Sequence, residues 1–289
     1  MSPSSVIPGP TAERIAELKA GLDPRSPESF ANYGTEAQAA VAAACSPLAH
    51  DAGARIGQEA QACLNQATSL TRSLDPDALV PRRGLAGLFD SRGRRLRQMR
   101  DAFDSLDRRM AEAGEQLKGQ AAALKARAAE LDPAHDAVRQ PIIDLGAWIE
   151  AGRQRLADVA AEAPEGETSP RDRLSARLEG LAAARMAALA HLPLARTLQN
   201  ADVVAAERLE GAASAIDSWR ADWRKHLGLD GKRRRKVRPE PNQLAGLTHR
   251  LTRTLDRAGQ ALNDGAARRT EAAQRLAALG RQAGPPTAE

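Results

Sequence analysis

The chain has 289 residues, of which 42% are hydrophobic but only 2% aromatic, and it carries a formal net charge of +5. Its apolar residues are largely Ala and Leu, it lacks the bulky and β-branched residues of sheets, and no convincing period-two pattern occurs, so we predict an all-α protein. No segment approaches the ~20 uninterrupted apolar residues that a transmembrane helix requires. Residues 1–10 lack the basic region and hydrophobic core of a secretory signal.

The N-terminal segment, residues 1–28, is predicted to be flexible apart from one short helix. Residues 1–10 are rich in Ser, Pro and Gly, which favours disorder. The helix begins after Thr11, which is a good N-cap residue, and Gly21 ends it.

Two further helices follow, with apolar residues at helical spacing over 37–48 and 56–74. Pro47 is expected to break the first helix near its end, and Asp75-Pro76 to stop the second. Cys45 and Cys63 lie on the apolar stripes, so we expect them to be buried small residues. A redox reaction of either thiol with an oxyanion is the alternative.

The most regular stretch of the chain runs from Leu96 to Leu131. Apolar residues recur there at every seventh position, and a second apolar row lies three residues after the first: Leu96, Phe103, Met110, Leu117, Leu124, Leu131, and Met99, Leu106, Ala113. Spacings of three and four predict one face of a long helix that packs lengthwise on others.

The partners of this helix are predicted from similar stripes on residues 138–159, 174–227 and 244–276. Asp132 is expected to cap the first of them, with Pro133 as its first residue and Pro141 as a kink, whereas Pro193 is expected to kink or break the second. Residues 163–170 and 228–241 read as loops. We therefore predict a single elongated antiparallel bundle over residues 29–280, with coiled-coil-like packing and a flexible tail at 281–289.

Positive charge is concentrated in two segments. Residues 80–100 hold seven arginines and one aspartate, and residues 232–238 hold six basic residues and no acidic one. The second run comprises Lys232, Arg233, Arg234, Arg235, Lys236 and Arg238. A solvated loop is one interpretation, and an electrostatic contact with anionic lipid or nucleic acid is the other. No aromatic residue interrupts the run, so base stacking is not indicated.

Other residues give no indication of an active site. The five histidines are scattered singly and are predicted to be surface or half-buried structural residues. No nucleotide-binding loop is recognisable, so we expect no enzyme activity, no metal and no cofactor. Trp219 and Trp223 are predicted to pack in the core.

The polar segment Arg196-Thr197-Leu198-Gln199-Asn200 follows Pro193. Gln199 and Asn200 are expected to satisfy backbone groups that a kink would free. The alternative is an interhelical network or a recognition site that includes Arg196.

Several pieces of the sequence together resemble the bacterial toxic-anion (tellurite) resistance family, often called TelA or KlaA. These are Tyr33-Gly34-Thr35-Glu36-Ala37-Gln38, Ile149-Glu150-Ala151-Gly152, and Pro193-Leu194-Ala195-Arg196-Thr197-Leu198-Gln199-Asn200 followed by Trp219. The similarity extends over about residues 13–280, although the family's asparagine falls here on Ala201 and Asn200 stands one place earlier.

The resemblance implies an all-helical cytoplasmic protein linked to resistance to tellurite and other toxic anions, or to envelope stress, with no established catalytic residues. We therefore expect a non-enzymatic protein that acts through protein partners or at the inner-membrane surface. A nucleic-acid-associated protein that binds through residues 82–100 and 232–238 is the alternative. The oligomeric state stays open.

Overall fold

The computed structural model describes residues 7–23, 29–30, 32–52, 57–80, 91–162, 170–231 and 236–283. Its helices are α1 (Ala12–Ala20), α2 (Thr35–Ala52), α3 (Gln58–Arg72), α4 (Arg92–Ala137), α5 (Arg139–Glu162), α6 (Pro170–His226) and α7 (Pro241–Ala283), with a 3-10 helix at Pro76–Leu79. The residues described contain no β-strand. The prediction of an all-α bundle is confirmed.

The chain divides into two compact units. The first unit comprises Met1–Ala54, Ala129–Gln199 and Arg268–Glu289, and the second comprises Arg55–Ala128 and Asn200–Ala267. Helices α4, α6 and α7 therefore contribute residues to both units. The prediction of one domain over 29–280 stays a prediction.

In the second unit, the apolar stripe of α4 is buried against α3, α6 and α7. The buried residues of α4 in this core are Met99, Phe103, Leu106, Met110, Ala113, Leu117, Ala121 and Leu124. The rings of Phe103 and Trp223 are stacked with their centroids 5.8 Å apart, and Trp219 lies 5.4 Å from Trp223. The two tryptophans are 2% and 0% exposed, which confirms that they belong to the core.

Ion pairs and hydrogen bonds establish that α4 and α6 are antiparallel in the second unit. The Arg100 guanidinium donates through Nε to the Leu227 carbonyl at 2.8 Å. Lys118 then pairs with Asp217 at 3.0 Å, and Lys125 with Glu210 at 2.7 Å. Since the partner number falls as the α4 number rises, the two helices run in opposite directions.

The first unit has its own core, formed by α2, α5, the end of α4, the start of α6, and Leu22, Phe30 and Tyr33. Its fully buried large side chains are Phe30, Leu48, Ile142, Leu145, Leu174 and Leu181. Helix α1 packs on α5, where Lys19 pairs with Asp158 at 2.9 Å. Thr11 caps α1 by accepting a hydrogen bond from the Arg14 N–H, and Gly21 ends it, as predicted.

Three prolines lie inside continuous helices, whereas the sequence predicts a break at Pro47, a helix start at Pro133, and a kink or break at Pro193. Pro47 lies in α2, Pro133 in α4 and Pro193 in α6. A proline removes one helical hydrogen bond and costs about 3 kcal/mol in a helix interior. Buried residues flank each one in sequence, such as Cys45 and Leu48 around Pro47. Burial of one leucine-sized side chain contributes about 1.5–3 kcal/mol, which offsets that cost.

The predicted start of α5 is also wrong. Helix α4 continues through Pro133 to Ala137, so Asp132 lies within it and does not cap the next helix. The Asp132 carboxylate instead binds side chains of α6. Pro141 lies in the first turn of α5, where backbone N–H groups have no intrahelical partner, so it does not interrupt that helix.

Candidate functional site

The Tyr33-Gly34 turn leads into α2 and contacts α5. Gly34 has φ +67°, a left-handed conformation that favours glycine. The Tyr33 hydroxyl donates to the Trp148 carbonyl at 2.8 Å, and the two rings meet edge to face at 4.9 Å. Burial raises the pKa of Tyr33 to about 12, so the phenol stays protonated at neutral pH. The turn is therefore fixed to α5 by a neutral hydrogen bond.

Helices α5 and α6 approach each other closely next to this turn, at Gly152. A Cβ atom on Gly152 would lie 2.4 Å from Leu178 Cδ2 and 3.0 Å from Tyr33 Cε1. Arg177, the neighbour of Leu178, donates through Nε to the Tyr33 carbonyl at 2.8 Å and through Nη2 to Thr35 Oγ1 at 3.2 Å. The Tyr33 and Gly152 motifs thus meet in one buried joint whose contacts explain them structurally.

A polar network links α6 to the end of α4 in the first unit. Arg196 Nη1 binds Asp132 Oδ1 and Gln199 Oε1, and Gln199 Nε2 donates to the same Asp132 oxygen at 3.0 Å. The hydrogen bond from Arg196 holds the pKa of Asp132 below its usual range. Arg196 and Gln199 therefore form an interhelical network, which was the alternative interpretation of this segment. Asn200 is exposed.

His135 lies beside this network and is 7% exposed. Its Nδ1 atom is 3.4 Å from Arg196 Nη2 and 3.7 Å from the Asp136 carboxylate. Burial is the main cause that lowers the pKa of His135, and the Arg196 charge adds to it. The ring is therefore neutral at pH 7.

Described residues from both basic segments line one groove in the second unit. Its volume is about 570 Å³, and the described residues that line it are Leu79, Val80, Arg92, Arg95, Leu96, Arg238, Pro239, Glu240, Pro241 and Asn242. We call this the basic groove. It brings Arg92 and Arg95 at the start of α4 next to Arg238, 143 positions beyond Arg95 in the sequence.

The remaining basic residues of these segments have different positions. Lys232, Arg233, Arg234 and Arg235 lie outside the described residues, as does the part of the first segment over 81–90. Lys236 is exposed. Arg100 is 8% exposed and bound to the Leu227 carbonyl, so its role is structural.

Sequence reasoning missed a second charged cluster in this unit. The Asp107 carboxylate accepts from Arg220 Nε at 2.8 Å and from Arg224 Nη1 at 2.7 Å. Its side chain is 13% exposed. The spacing of four between the two arginines places them on one helix face, which is the signal that was available.

The family model for "Toxic anion resistance protein (TelA)" matches residues 15–220. The chain belongs to this family. The match includes the buried joint, the Arg196 network, and Arg92 and Arg95 of the basic groove, whereas Arg238 and Glu240 lie beyond it. No curated protein and no solved structure matches the chain.

Within this TelA-family chain, both cysteines are buried, as predicted. Burial raises the pKa of Cys45 to about 11 and raises that of Cys63 as well. Both thiols are therefore protonated at neutral pH, and protonated thiols are poor nucleophiles.

The histidine prediction needs a correction, because His135 and His191 are buried, and neither lies at the surface nor is half-buried. The His191 ring nitrogen Nδ1 lies 2.9 Å from the Ala187 carbonyl oxygen. Among the described residues, no three His, Cys, Asp or Glu side chains are grouped as a metal site would require. Nor does any described helix combine the length and the apolar character needed to cross a membrane.

Proposed function

We propose that this protein is a non-enzymatic, cytoplasmic member of the toxic-anion resistance family that protects its bacterial host against tellurite and related anions. The observation that carries the proposal is the family match over residues 15–220. The protein acts by binding, either to protein partners or to the inner-membrane surface.

The chemistry of the described residues supports binding rather than catalysis. The conspicuous polar groups are held in structural contacts: Arg177 binds the Tyr33 turn, Arg196 binds Asp132, and Asp107 binds Arg220 and Arg224. The basic groove presents arginines at the surface, where they can contact an anionic partner.

Gene deletion in the bacterial host tests the resistance role. We expect the deletion to lower the minimal inhibitory concentration of tellurite, and a plasmid copy to restore it. Unchanged tolerance to tellurite and to envelope-damaging agents would refute the role. Replacement of both Cys45 and Cys63 by Ala is expected to preserve tolerance, since a loss would indicate redox chemistry at a thiol.

The binding role is tested by a pull-down from cells that compares the wild type with a variant lacking residues 232–238. We expect one or more proteins, or a membrane fraction, to be retained by the wild type and reduced with the variant. Identical retention by both would exclude this segment as the contact.

A nucleic-acid-associated function is a second candidate, because arginines from both basic segments line the same groove. Its test is a salt titration of binding to duplex DNA. Binding through phosphates weakens steeply as salt increases, with a slope set by the number of neutralised phosphates. Absence of DNA binding at low salt would exclude this candidate.

A further inference from the structure

The basic groove carries an inference that goes beyond the resistance role. Four parts of the second unit form it: the end of the 3-10 helix, the start of α4, residues 238–240, and the first turn of α7. Each part contributes lining residues, so the groove depends on the folded unit and not on one flexible segment.

The charges at the groove are unbalanced. Among the described lining residues, Arg92 and Arg238 contribute two positive charges and Glu240 one negative charge, and the third arginine, Arg95, already interacts with another group. Arg92 and Arg238 are exposed, and neither forms a salt bridge with another described residue. Other exposed cations of this unit, such as Lys118 and Lys125, pair with carboxylates across helices. The groove therefore favours an anionic ligand.

We propose that the basic groove binds a phosphate-class oxyanion through Arg92 and Arg238. A guanidinium group presents a planar set of N–H donors that matches the oxygens of such an anion, and charge-assisted hydrogen bonds of this kind are stronger than neutral ones. Pro241 and Asn242 in the first turn of the 43-residue helix α7 also line the groove. The positive end of the helix dipole there adds to the arginine field.

The apolar wall of the groove indicates how the phosphate is presented. Val80 is 46% exposed, and Leu79 and Leu96 are half-buried beside it. This wall suits a phosphate attached to an organic group, such as a lipid headgroup, whereas the arginines alone suit a free anion. The experiment therefore includes both sources.

The probe for the free anion is inorganic phosphate, titrated calorimetrically into the full chain at fixed ionic strength. The test variant is R92Q/R238Q. The matched control, R253Q/R257Q, removes the same two charges from exposed positions of α7 outside the groove. A hydrogen bond to a charged group contributes enough that each lost arginine weakens binding about tenfold. We expect about a hundredfold loss in the test variant and less than about a twofold change in the control.

Glu240 provides a second variant that leaves every arginine in place. E240Q removes the negative charge that repels an anion, so we expect phosphate affinity to increase severalfold. The backbone carbonyl of residue 240, which accepts from the N–H groups of Gln243 and Leu244, is unchanged by this substitution. Circular dichroism is the control that each of the three variants folds like the wild type.

The lipid arm uses sedimentation with vesicles of phosphatidylcholine, with and without phosphatidylglycerol. Binding that requires phosphatidylglycerol and is lost in R92Q/R238Q identifies a headgroup as the source, whereas phosphate binding without vesicle binding identifies a free anion. Equal weakening in R92Q/R238Q and R253Q/R257Q, or no binding in either arm, overturns the proposal. Groove-dependent binding together with unchanged tellurite tolerance of the deletion strain would refute the resistance role and leave this site standing.

Discussion

Replacing Gly152 by Ala tests whether the close approach of α5 and α6 is tight. The new Cβ atom would lie 2.4 Å from Leu178 Cδ2, a separation that requires movement of the leucine. Leu178 is 5% exposed, and Tyr33 on the other side is 4% exposed and bound to α5 and α6 through its hydroxyl and carbonyl. Because neither neighbour can move freely, we expect the overpacking to cost about 1–3 kcal/mol.

Helix propensity acts in the opposite direction. A glycine in a helix interior is about 1 kcal/mol less favourable than an alanine. The net effect of Gly152→Ala is thus a destabilisation of between about 0 and 2 kcal/mol, obtained by subtracting the propensity term from the packing term. Gly180 in α6 is the matched control, because a Cβ atom there would contact nothing within 4 Å. We expect Gly180→Ala to stabilise the chain by about 1 kcal/mol.

Urea unfolding followed by circular dichroism at 222 nm measures both variants. The two free energies of unfolding should differ by about 1–3 kcal/mol, with Gly180→Ala the more stable, while the m-values remain those of the wild type. Equal stabilisation by the two substitutions would show that Leu178 and Tyr33 do not confine Gly152, and the argument for a tight joint would fail.

Three other predictions concern charged and titrating groups. Because the pKa of folded His135 lies below the ordinary value of 6.5, the unfolded chain binds its proton first as the pH falls. Stability should therefore decrease below about pH 6.5, and less in His135→Gln, measured by urea midpoints at pH 7.5 and 5.5; equal decreases would contradict this reasoning. Asp107→Asn should lower the free energy of unfolding in urea by about 2 kcal/mol, since Arg220 and Arg224 lose a partly buried partner. The control is Lys125→Gln at an exposed ion pair, which should leave the urea midpoint nearly unchanged. With a pKa of about 11, Cys45 has a thiolate fraction at pH 8 on the order of a thousandth. A thiol reagent should therefore label Cys45 slowly in the folded Cys63→Ala chain and rapidly in urea. Rapid labelling of the folded chain would contradict the burial of Cys45.

The fold class and the core of α4 were predictable because they depend on local periodicity. Spacings of three and four place Met99, Phe103 and Leu106 on one helix face, and all three are buried. Whether a helix continues through a proline or ends there was not predictable in the same way. Pro133 is a local signal against a helix, but Leu131 and His135 on either side are buried in the first unit, and only the folded chain contains the contacts that favour continuation.

The candidate site required information that no local pattern contains. The basic groove depends on the reversal of the chain that places Arg238 beside Arg92, and the two segments are unrelated in sequence. Asp132 was interpreted as a helix cap because capping is the commonest local use of an aspartate before a proline. Its actual partner, Arg196, lies 64 positions away. The Arg196 segment could be recognised in the sequence by its family resemblance, but its hydrogen bond to Asp132 could not be predicted.

The contacts of α4 with α6 also determine which residues of the two helices face each other. The aliphatic part of this seam is similar from one heptad to the next and discriminates poorly against a slip of seven residues, whereas such a slip would replace Phe103 by Leu96 or Met110 in its stack with Trp223. Such a slip would place either Gly114 or Arg100 where Asp107 now faces Arg220 and Arg224. The arginines would then meet no carboxylate or a third positive charge, and the bond from Arg100 to the Leu227 carbonyl would be lost. In this unit the apolar seam supplies the stability, and the polar pairs together with the stack of Phe103 on Trp223 select the register.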